Sequence, residues 1–539
     1  MTPFQSRIHP ASEAFQAQRA GMLALVDELR ALEQRAADAS ARASASFARR
    51  GALLPRERLS RLLDPGRPFL PIANLAGYGM DDPDPSKVVP GGSQIAGIGF
   101  VSGVRCMVVV TDSGIDAGAL TESGNQKLMR CQELALDNKL PFVHLVESAG
   151  SNLRKYRVEK FIRGGGMFYN LARLSAAGLP VVTVVHGSST AGGAYMPGLS
   201  DYVVMVRGQA KAFLAGPPLL KAATGEIATD EALGGTDMHA SISGLAEYVA
   251  EDDAHAIAIA RDIMDNLGWQ NKADDAAANA PAPRLDTEEL AGVMVLEHRK
   301  PVDMREIIAR LVDDSRWMDF KPDYGMATIC GQGRIEGHTV GFVTNNGPID
   351  PAGATKAAQF IQLCNQAGTP IVYLQNTTGF IVGRASEEAG MIKHGAKLIQ
   401  ALANSQVPQV TIYCGASFGA GNYGMCGRSF HPRFCFSWPN ARTAVMGGEQ
   451  AATTLEIVAR QQAERKGRPV DEARLAEQKE EIVGTFERQA SAFYTSGHLL
   501  DDGVIDPRDT RAVLAFVLAT TREATARTPR AVQFGVARF

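Results

Sequence analysis

The chain has 539 residues, 45% of them hydrophobic and 21% charged, the balance of a soluble globular protein and too long for one ordinary core. Its 55 Lys and Arg against 58 Asp and Glu leave a net charge of −3, which gives no basic surface for a nucleic-acid partner. No uninterrupted apolar stretch is long enough to span a bilayer, and the opening residues lack the apolar core of a signal peptide, so a cytoplasmic protein without membrane contact is expected.

Residues 12–50 are rich in Ala, Arg, Glu and Leu, with Met22, Leu25, Val26, Leu29 and Leu32 at helical spacing. They predict a long exposed N-terminal helix within a segment 1–50. The first domain is expected over 51–272. In it, 59–64 reads as a short amphipathic helix ending at an Asp-rich turn, and 108–114 as a buried strand ending in a turn. A helix over 126–140 and a strand over 142–146 follow. Residues 180–195 then read Pro-Val-Val-Thr-Val-Val-His-Gly-Ser-Ser-Thr-Ala-Gly-Gly-Ala-Tyr, a strand and a small-residue turn. Residues 273–286 are poor in bulky apolar side chains and read as a linker. The second domain, 287–539, repeats the series at 308–313, 341–347, 355–367 and 371–374. It closes the repeat at 408–423 with Pro-Gln-Val-Thr-Ile-Tyr-Cys-Gly-Ala-Ser-Phe-Gly-Ala-Gly-Asn-Tyr. Strand, helix and strand in alternation predict an α/β fold with mostly parallel sheets, present twice.

The paired turns are the candidate chemistry. If a helix starts at 191–194, the N–H groups of Gly192 and Gly193 have no acceptor within it and suit a developing oxyanion. Ala420 and Gly421 hold the matching positions. Small residues there also suit tight helix–strand packing, and both readings stay open. No nucleophile elbow surrounds Ser188 or Ser189, no His motif has metal-ligand spacing, and no P-loop is present. His239 and His394 read as structural or ligand-contacting. Arg163-Gly-Gly-Gly166 lacks a preceding strand, fails the dinucleotide pattern and reads as a flexible or close-approach segment. The seven dispersed Cys predict buried small hydrophobes in a reducing compartment. Two oxyanion sites without a dedicated base suit a reaction joining two carbonyl compounds through enolate-like states, one a thioester and one a urea.

Several longer motifs now carry a resemblance. They are Gly51-Ala-Leu-Leu-Pro-Arg-Glu-Arg-Leu59, Gly91-Gly-Ser-Gln-Ile-Ala-Gly-Ile-Gly99, Phe213-Leu-Ala-Gly-Pro-Pro-Leu219 with Ala223-Thr-Gly-Glu226, Leu374-Gln-Asn-Thr-Thr-Gly-Phe-Ile-Val-Gly383, and Gly419-Ala-Gly-Asn-Tyr-Gly-Met-Cys-Gly427 through Met446-Gly-Gly-Glu-Gln450. Over roughly residues 45–535 the chain resembles the carboxyltransferase (β) subunits of biotin-dependent acyl-CoA carboxylases. The likeness is greatest to the branched enoyl-CoA branch, the geranyl-CoA and 3-methylcrotonyl-CoA carboxylases. The resemblance implies two crotonase-like (ββα superhelix) domains in tandem, with a coenzyme A thioester mainly on the first and biotin mainly on the second. It implies no metal in this subunit. Biotin would be carried by a partner α subunit that holds biotin carboxylase and the carboxyl carrier, and this chain would form a homo-hexamer within an α6β6-type complex.

Carried over residue by residue, Gly192 and Gly193 match the donors for the thioester enolate, and Ala420 and Gly421, beside Gly419, those for the biotin urea oxygen. Gly164, Phe168, Ala191, Tyr195, Phe213 and Gly216 fall on the acyl-CoA side. Thr378, Gly379, Phe380, Phe418 and Tyr423 fall on the biotin side. Methylcrotonyl enzymes usually carry a bulky aromatic where this chain has Gly164, and 152–161 also departs from their pattern. Losing a ring that buries about 150–250 Å² leaves space for a longer isoprenoid chain unless Met167 or Phe168 refills it. Geranyl-CoA is therefore the expected substrate, 3-methylcrotonyl-CoA the alternative, and a biotin-dependent acyl-CoA decarboxylase subunit the more remote one.

Overall fold

A computed structural model describes residues 3–150, 157–269, 280–297, 300–467 and 469–530. The first half of the expected linker and the first part of the divergent 152–161 stretch lie outside the described residues. By packing, the chain divides into two compact units. One comprises Arg30–Ala273, Gly497–Leu499 and Thr520–Phe539; the other comprises Met1–Leu29, Asp274–Ser496 and Leu500–Ala519.

In the first unit the strands are β1 (Leu70–Pro71), β2 (Gln94–Val101), β3 (Val104–Thr111), β4 (Phe142–Ser148), β5 (Val181–Thr190), β6 (Tyr202–Val206), β7 (Lys211–Phe213) and β8 (Tyr248–Ala250). They form one sheet in the order β1-β2-β3-β4-β5-β6-β8, with β7 beside the end of β5. β1, β2 and β3 pair antiparallel, and every later pair is parallel. β3 and β4 are buried along their whole length and β5 over its first seven residues, which is why β3 and β5 carry near-continuous Val runs. Val108, Val143, Val182 and Val204 meet in one core cluster.

The second unit repeats the plan with β9 (Trp317–Phe320), β10 (Thr328–Ile335), β11 (His338–Asn345), β12 (Ile371–Thr377), β13 (Gln409–Phe418), β14 (Phe434–Ser437) and β15 (Arg442–Ala444). Their order is β14-β13-β12-β11-β10-β9, with β15 beside the end of β13. Phe360, Ile361, Tyr373 and Leu398 are buried in its core.

The repetition reaches single hydrogen bonds. Asp64 follows the helix Pro55–Leu62 and accepts the N–H groups of Ser102 and Gly103, the turn joining β2 to β3. Asp313 follows the helix Arg305–Leu311 and accepts those of Glu336 and Gly337, the turn joining β10 to β11. Arg261 pairs with the first and Arg511 with the second. Burial works against the Asp64 charge, but the Gly103 N–H and Arg261 hold its carboxyl below the usual range.

Three expectations change. The two helices expected at 126–140 and 355–367 are Glu122–Asp137 and Pro351–Ala367, because Thr121 and Asp350 cap them earlier by accepting the N–H groups of Gly124 and Gly353. The N-terminal helix, Glu13–Ala41, is not exposed along its apolar stripe: Met22, Val26, Leu29 and Leu32 are buried. In one unit Phe15 lies against Gly292, and Leu296 donates its N–H to Gln18. In the other, Glu33 accepts from Asn74 and Ser40 donates to Asp112. Residues 163–166 are helical, the helix Val158–Gly164 running through Gly165 into Gly166–Ala176. Close approach does apply there, since a Cβ on Gly166 would lie 2.7 Å from Met129 Sδ.

Candidate active site: two matched glycine turns

β5 and β13 end in turns of the same backbone shape. Ala191 follows β5 at φ +55° and Gly419 follows β13 at φ +57°. This left-handed step lifts the chain off the sheet into a short helical turn, Ala191–Ala194 in the first unit and Gly421–Gly424 in the second. Tyr195 donates its N–H to Gly192 O, so the N–H groups that precede it stand at the open start of the turn. In the second copy Gly419 donates to Ala444 O at 2.9 Å and Asn422 to Gly419 O at 3.2 Å, with Ala420 and Gly421 between them at the turn's first positions. Gly193 and Gly421 are buried, and Tyr195 and Tyr423 are each 48% exposed at the matching outer position.

A second loop faces each turn. β4 pairs with β5 in register until a bulge just before Ser148, which faces Ser189; β12 and β13 show the same bulge before Thr377, which faces Ser417. Two residues further on come Gly150, at φ +81°, and Gly379, at φ +117°. A Cβ on Gly150 would lie 3.2 Å from Thr190 O, and one on Gly379 3.3 Å from Phe418 O. Ser148 Oγ accepts the Gly150 N–H at 3.1 Å, and Thr377 Oγ1 accepts that of Gly379 at 3.2 Å. Gly421 is the tightest position, since its Cβ would stand 2.7 Å from Gly379 Cα.

The support beneath the turns differs. Ser189 Oγ donates to Gly193 O at 2.8 Å. Ser417 Oγ instead donates to Gln375 Oε1 at 2.5 Å and accepts from Asn422 Nδ2 at 2.8 Å. Gln375 Nε2 donates to Met425 O, and the Tyr413 hydroxyl accepts the Arg428 N–H. Burial pushes the Tyr413 phenol well above its usual value, so it stays neutral.

The other expected residues distribute as follows. Phe168 lies over the first turn, its Cζ 3.5 Å from where a Gly192 Cβ would be and its ring 5.5 Å from that of Tyr195. Phe213 pairs with Thr190 on β7, and its ring covers Gly216 at the start of the helix Pro217–Thr224. Gly164 is buried, but its immediate neighbours are Asn125 and Met167; a Cβ there would be 3.3 Å from Asn125 Nδ2 and 3.9 Å from Met167 Cε. Thr378 is exposed next to Gly379, and Phe418 is 8% exposed at the end of β13. The Phe380 ring is directed at Gly395 and Gly424 in the helical layer. Gly150, the buried supports Ser148, Ser189, Gln375 and Ser417, and the half-buried Asn422 were not assigned these places from the sequence. The signal for Gly150 was its match to Gly379 once the strands at 142 and 371 are aligned.

The turns thus offer clustered backbone donors without a carboxylate, thiol or imidazole on the turns themselves, an arrangement that stabilises oxygen anions. The seven cysteines lie elsewhere, all buried, and burial pushes the Cys426 thiol up to about 12. Among the described residues no group of three or more His, Cys, Asp or Glu is placed to hold a metal, and no helix is long and apolar enough to cross a membrane.

Duplicated, mostly parallel sheets, each ending in a matched glycine turn, define a tandem crotonase-like protein. The carboxyl transferase domain family matches residues 47–534, and the chain belongs to that family, the carboxyltransferase subunits of biotin-dependent acyl-CoA carboxylases. It is similar over 100% of both chains to the crystal structure of the P. aeruginosa geranyl-CoA carboxylase β subunit, at 50% identity and a TM-score of 0.92. It is 47% identical over 517 residues to a probable biotin-dependent acyl-coenzyme A carboxylase β2 subunit of Mycobacterium tuberculosis, covering 96% of each. The mitochondrial methylcrotonoyl-CoA carboxylase β chain of Dictyostelium discoideum is 45% identical over 473 residues, 87% of this chain and 80% of that one.

Proposed function

We propose that the chain moves a carboxyl group from carboxybiotin to the γ-carbon branch of a 3-methyl-enoyl-CoA, with geranyl-CoA as the acyl substrate. The reading is carried by the pair of turns, alike in backbone and different in their supports. Gly192 and Gly193 donate to the thioester oxygen as the γ-proton leaves and charge spreads through a dienolate. Ala420 and Gly421, with Gly419 setting the turn, donate to the urea oxygen of biotin. Biotin, carried by a partner α subunit, supplies the carboxyl group and, once that has left, a nitrogen that takes up the proton. Domain limits of 51–272 and 287–539, a cytoplasmic setting and a β-subunit hexamer inside an α6β6-type complex complete the proposal.

Geranyl is supported by the absence of a side chain at buried Gly164 and by the 50% identity to the geranyl-CoA carboxylase β subunit. A second reading, 3-methylcrotonyl-CoA, is favoured by Met167, whose Cε already reaches within 3.9 Å of the Gly164 Cβ position. Specificity constants of the reconstituted holoenzyme for geranyl-CoA, 3-methylcrotonyl-CoA and propionyl-CoA test both. A preference for propionyl-CoA overturns the branched-enoyl assignment. Gly164→Phe is expected to lower geranyl-CoA turnover far more than methylcrotonyl-CoA turnover; equal losses would exclude this pocket as the determinant.

A further inference from the structure

Two serines hold the same place in the two sheets. Ser189 faces Ser148 of β4 and Ala212 of β7, and Ser417 faces Thr377 of β12 and Thr443 of β15. Each precedes the left-handed step of its turn, Ala191 or Gly419, by two residues, and each is fully buried. Packing alone asks only for a small side chain there, which alanine would supply. A buried hydroxyl must also be hydrogen-bonded, and the direction of its bonds shows what it holds in place.

In the first unit the Ser189 hydroxyl donates to Gly193 O at 2.8 Å, the carbonyl directly after the two proposed donors. The bond closes Ser189–Gly193 into a ring that contains the N–H groups of Gly192 and Gly193. In the second unit the ring is closed from the opposite end. Asn422 Nδ2 donates to Ser417 Oγ at 2.8 Å, and the ring Ser417–Asn422 contains the N–H groups of Ala420 and Gly421. The proton positions follow from one fixed end. Met425 O only accepts, so Gln375 turns Nε2 to it at 2.8 Å and presents Oε1 to Ser417. Ser417 donates to that Oε1 at 2.5 Å and keeps a lone pair for Asn422. Gln375 Nε2 also lies 3.4 Å from Asn422 O. Asn422, Ser417, Gln375 and Met425 O therefore form one directed chain of hydrogen bonds, anchored on the buried Gln375 of β12, and such chains strengthen one another away from water.

We infer that Ser189 and Ser417 are positioning residues, each fixing the direction of the two backbone N–H groups of its own turn: Ser189 for the thioester oxygen, and Ser417, through Asn422 and Gln375, for the urea oxygen of biotin. The inference rests on the oxyanion roles proposed above for the turns. Donors to a carbonyl oxygen lower its stretching frequency, so each turn can be read by itself. The probes for infrared difference spectra of the full chain are geranyl-CoA labelled isotopically in the thioester carbonyl and biotin labelled in the ureido carbonyl. Ser189→Ala is expected to raise the thioester band of the bound ligand and leave the ureido band in place; Ser417→Ala is expected to do the reverse. Each variant is expected to lower kcat for carboxyl exchange between the carboxylated acyl-CoA and free biotin by roughly tenfold or more, with both KM values nearly unchanged, since the donors are misdirected rather than removed. Asn422→Ala opens the second ring from its half-buried outer end and takes the place of Ser417→Ala if that variant fails to fold. Unaltered exchange in variants that bind both ligands, or both bands moving together in every variant, overturns the assignment. Ligand bands that are lowered by the unaltered chain but untouched by Ser189→Ala and Asn422→Ala sink the serine roles and spare the proposed function. Bands that match the free ligands in water even with the unaltered chain sink the oxyanion reading and this inference with it.

Discussion

At the scale of single residues, the two glycine turns differ in how close neighbouring backbone comes. A Cβ on Gly421 would meet the Gly379 backbone at 2.7 Å, and backbone cannot rotate aside. Gly421→Ala is therefore expected to displace the donors and lower kcat by roughly 100-fold, as loss of an oxyanion donor does, in an assembly that still folds. Gly192→Ala meets only Phe168 at an ordinary 3.5 Å and is expected to keep turnover within a few-fold; steady-state kinetics of the two variants side by side decides it. His144 gives a different prediction. Both its ring nitrogens are buried without a hydrogen-bond partner among the described residues, and burial drops its pKa from 6.5 to about 4. The unfolded chain takes up that proton below 6.5 and the folded chain only near 4, so stability falls as pH drops through this window. The penalty at about pH 5 is about 2 kcal/mol, and His144→Leu is expected to remove it, raising Tm at that pH more than at neutral pH. An equal shift at both pH values would refute the titration account.

At the scale of elements, the repeated unit is a helix, an aspartate and a hairpin. Asp313 accepts two hairpin N–H groups and pairs with Arg511, at 8% exposure. Asp313→Ala strands all three donors and is expected to cost about 2–4 kcal/mol, read from urea unfolding. This device was half legible: the echo of 59–64 in 308–313 marked both helices and both Asp turns, but not the hairpins they hold, because those lie tens of residues away. Helix starts slipped for a local reason. The apolar spacing begins after the first turn, while the caps Thr121 and Asp350 set the true start.

At the scale of the whole molecule, the proposed function turns duplication into division of labour. Each sheet brings its own bulged strand pair, left-handed step and facing glycine to one place, yet Ser189 braces a turn carbonyl where Ser417 joins an amide network. The turns as proposed carry only the transfer half of a carboxylation. ATP-dependent fixation of bicarbonate is therefore expected only when the biotin-bearing partner is added, whereas exchange of carboxyl groups between carboxylated acyl-CoA and free biotin should proceed with this chain alone. Absence of that exchange would remove the case for two working turns.

What the amino-acid order determined alone was whatever depends on near neighbours. Val runs became doubly buried strands, Gly-Gly-Ala-Tyr and Gly-Asn-Tyr became helical turns, and two rounds of the same pattern became two sheets. Tertiary structure decided the rest. Ala191 adopts φ +55° where the chain leaves β5, a conformation that alanine does not announce. The stripe on Glu13–Ala41 named a buried face but not what buries it. Gly150 meets Thr190 only because strands far apart in the chain end side by side. Sterics and hydrogen bonds within a few residues are written into any short window of sequence; contacts between distant segments depend on sheet order and register, which no short window contains.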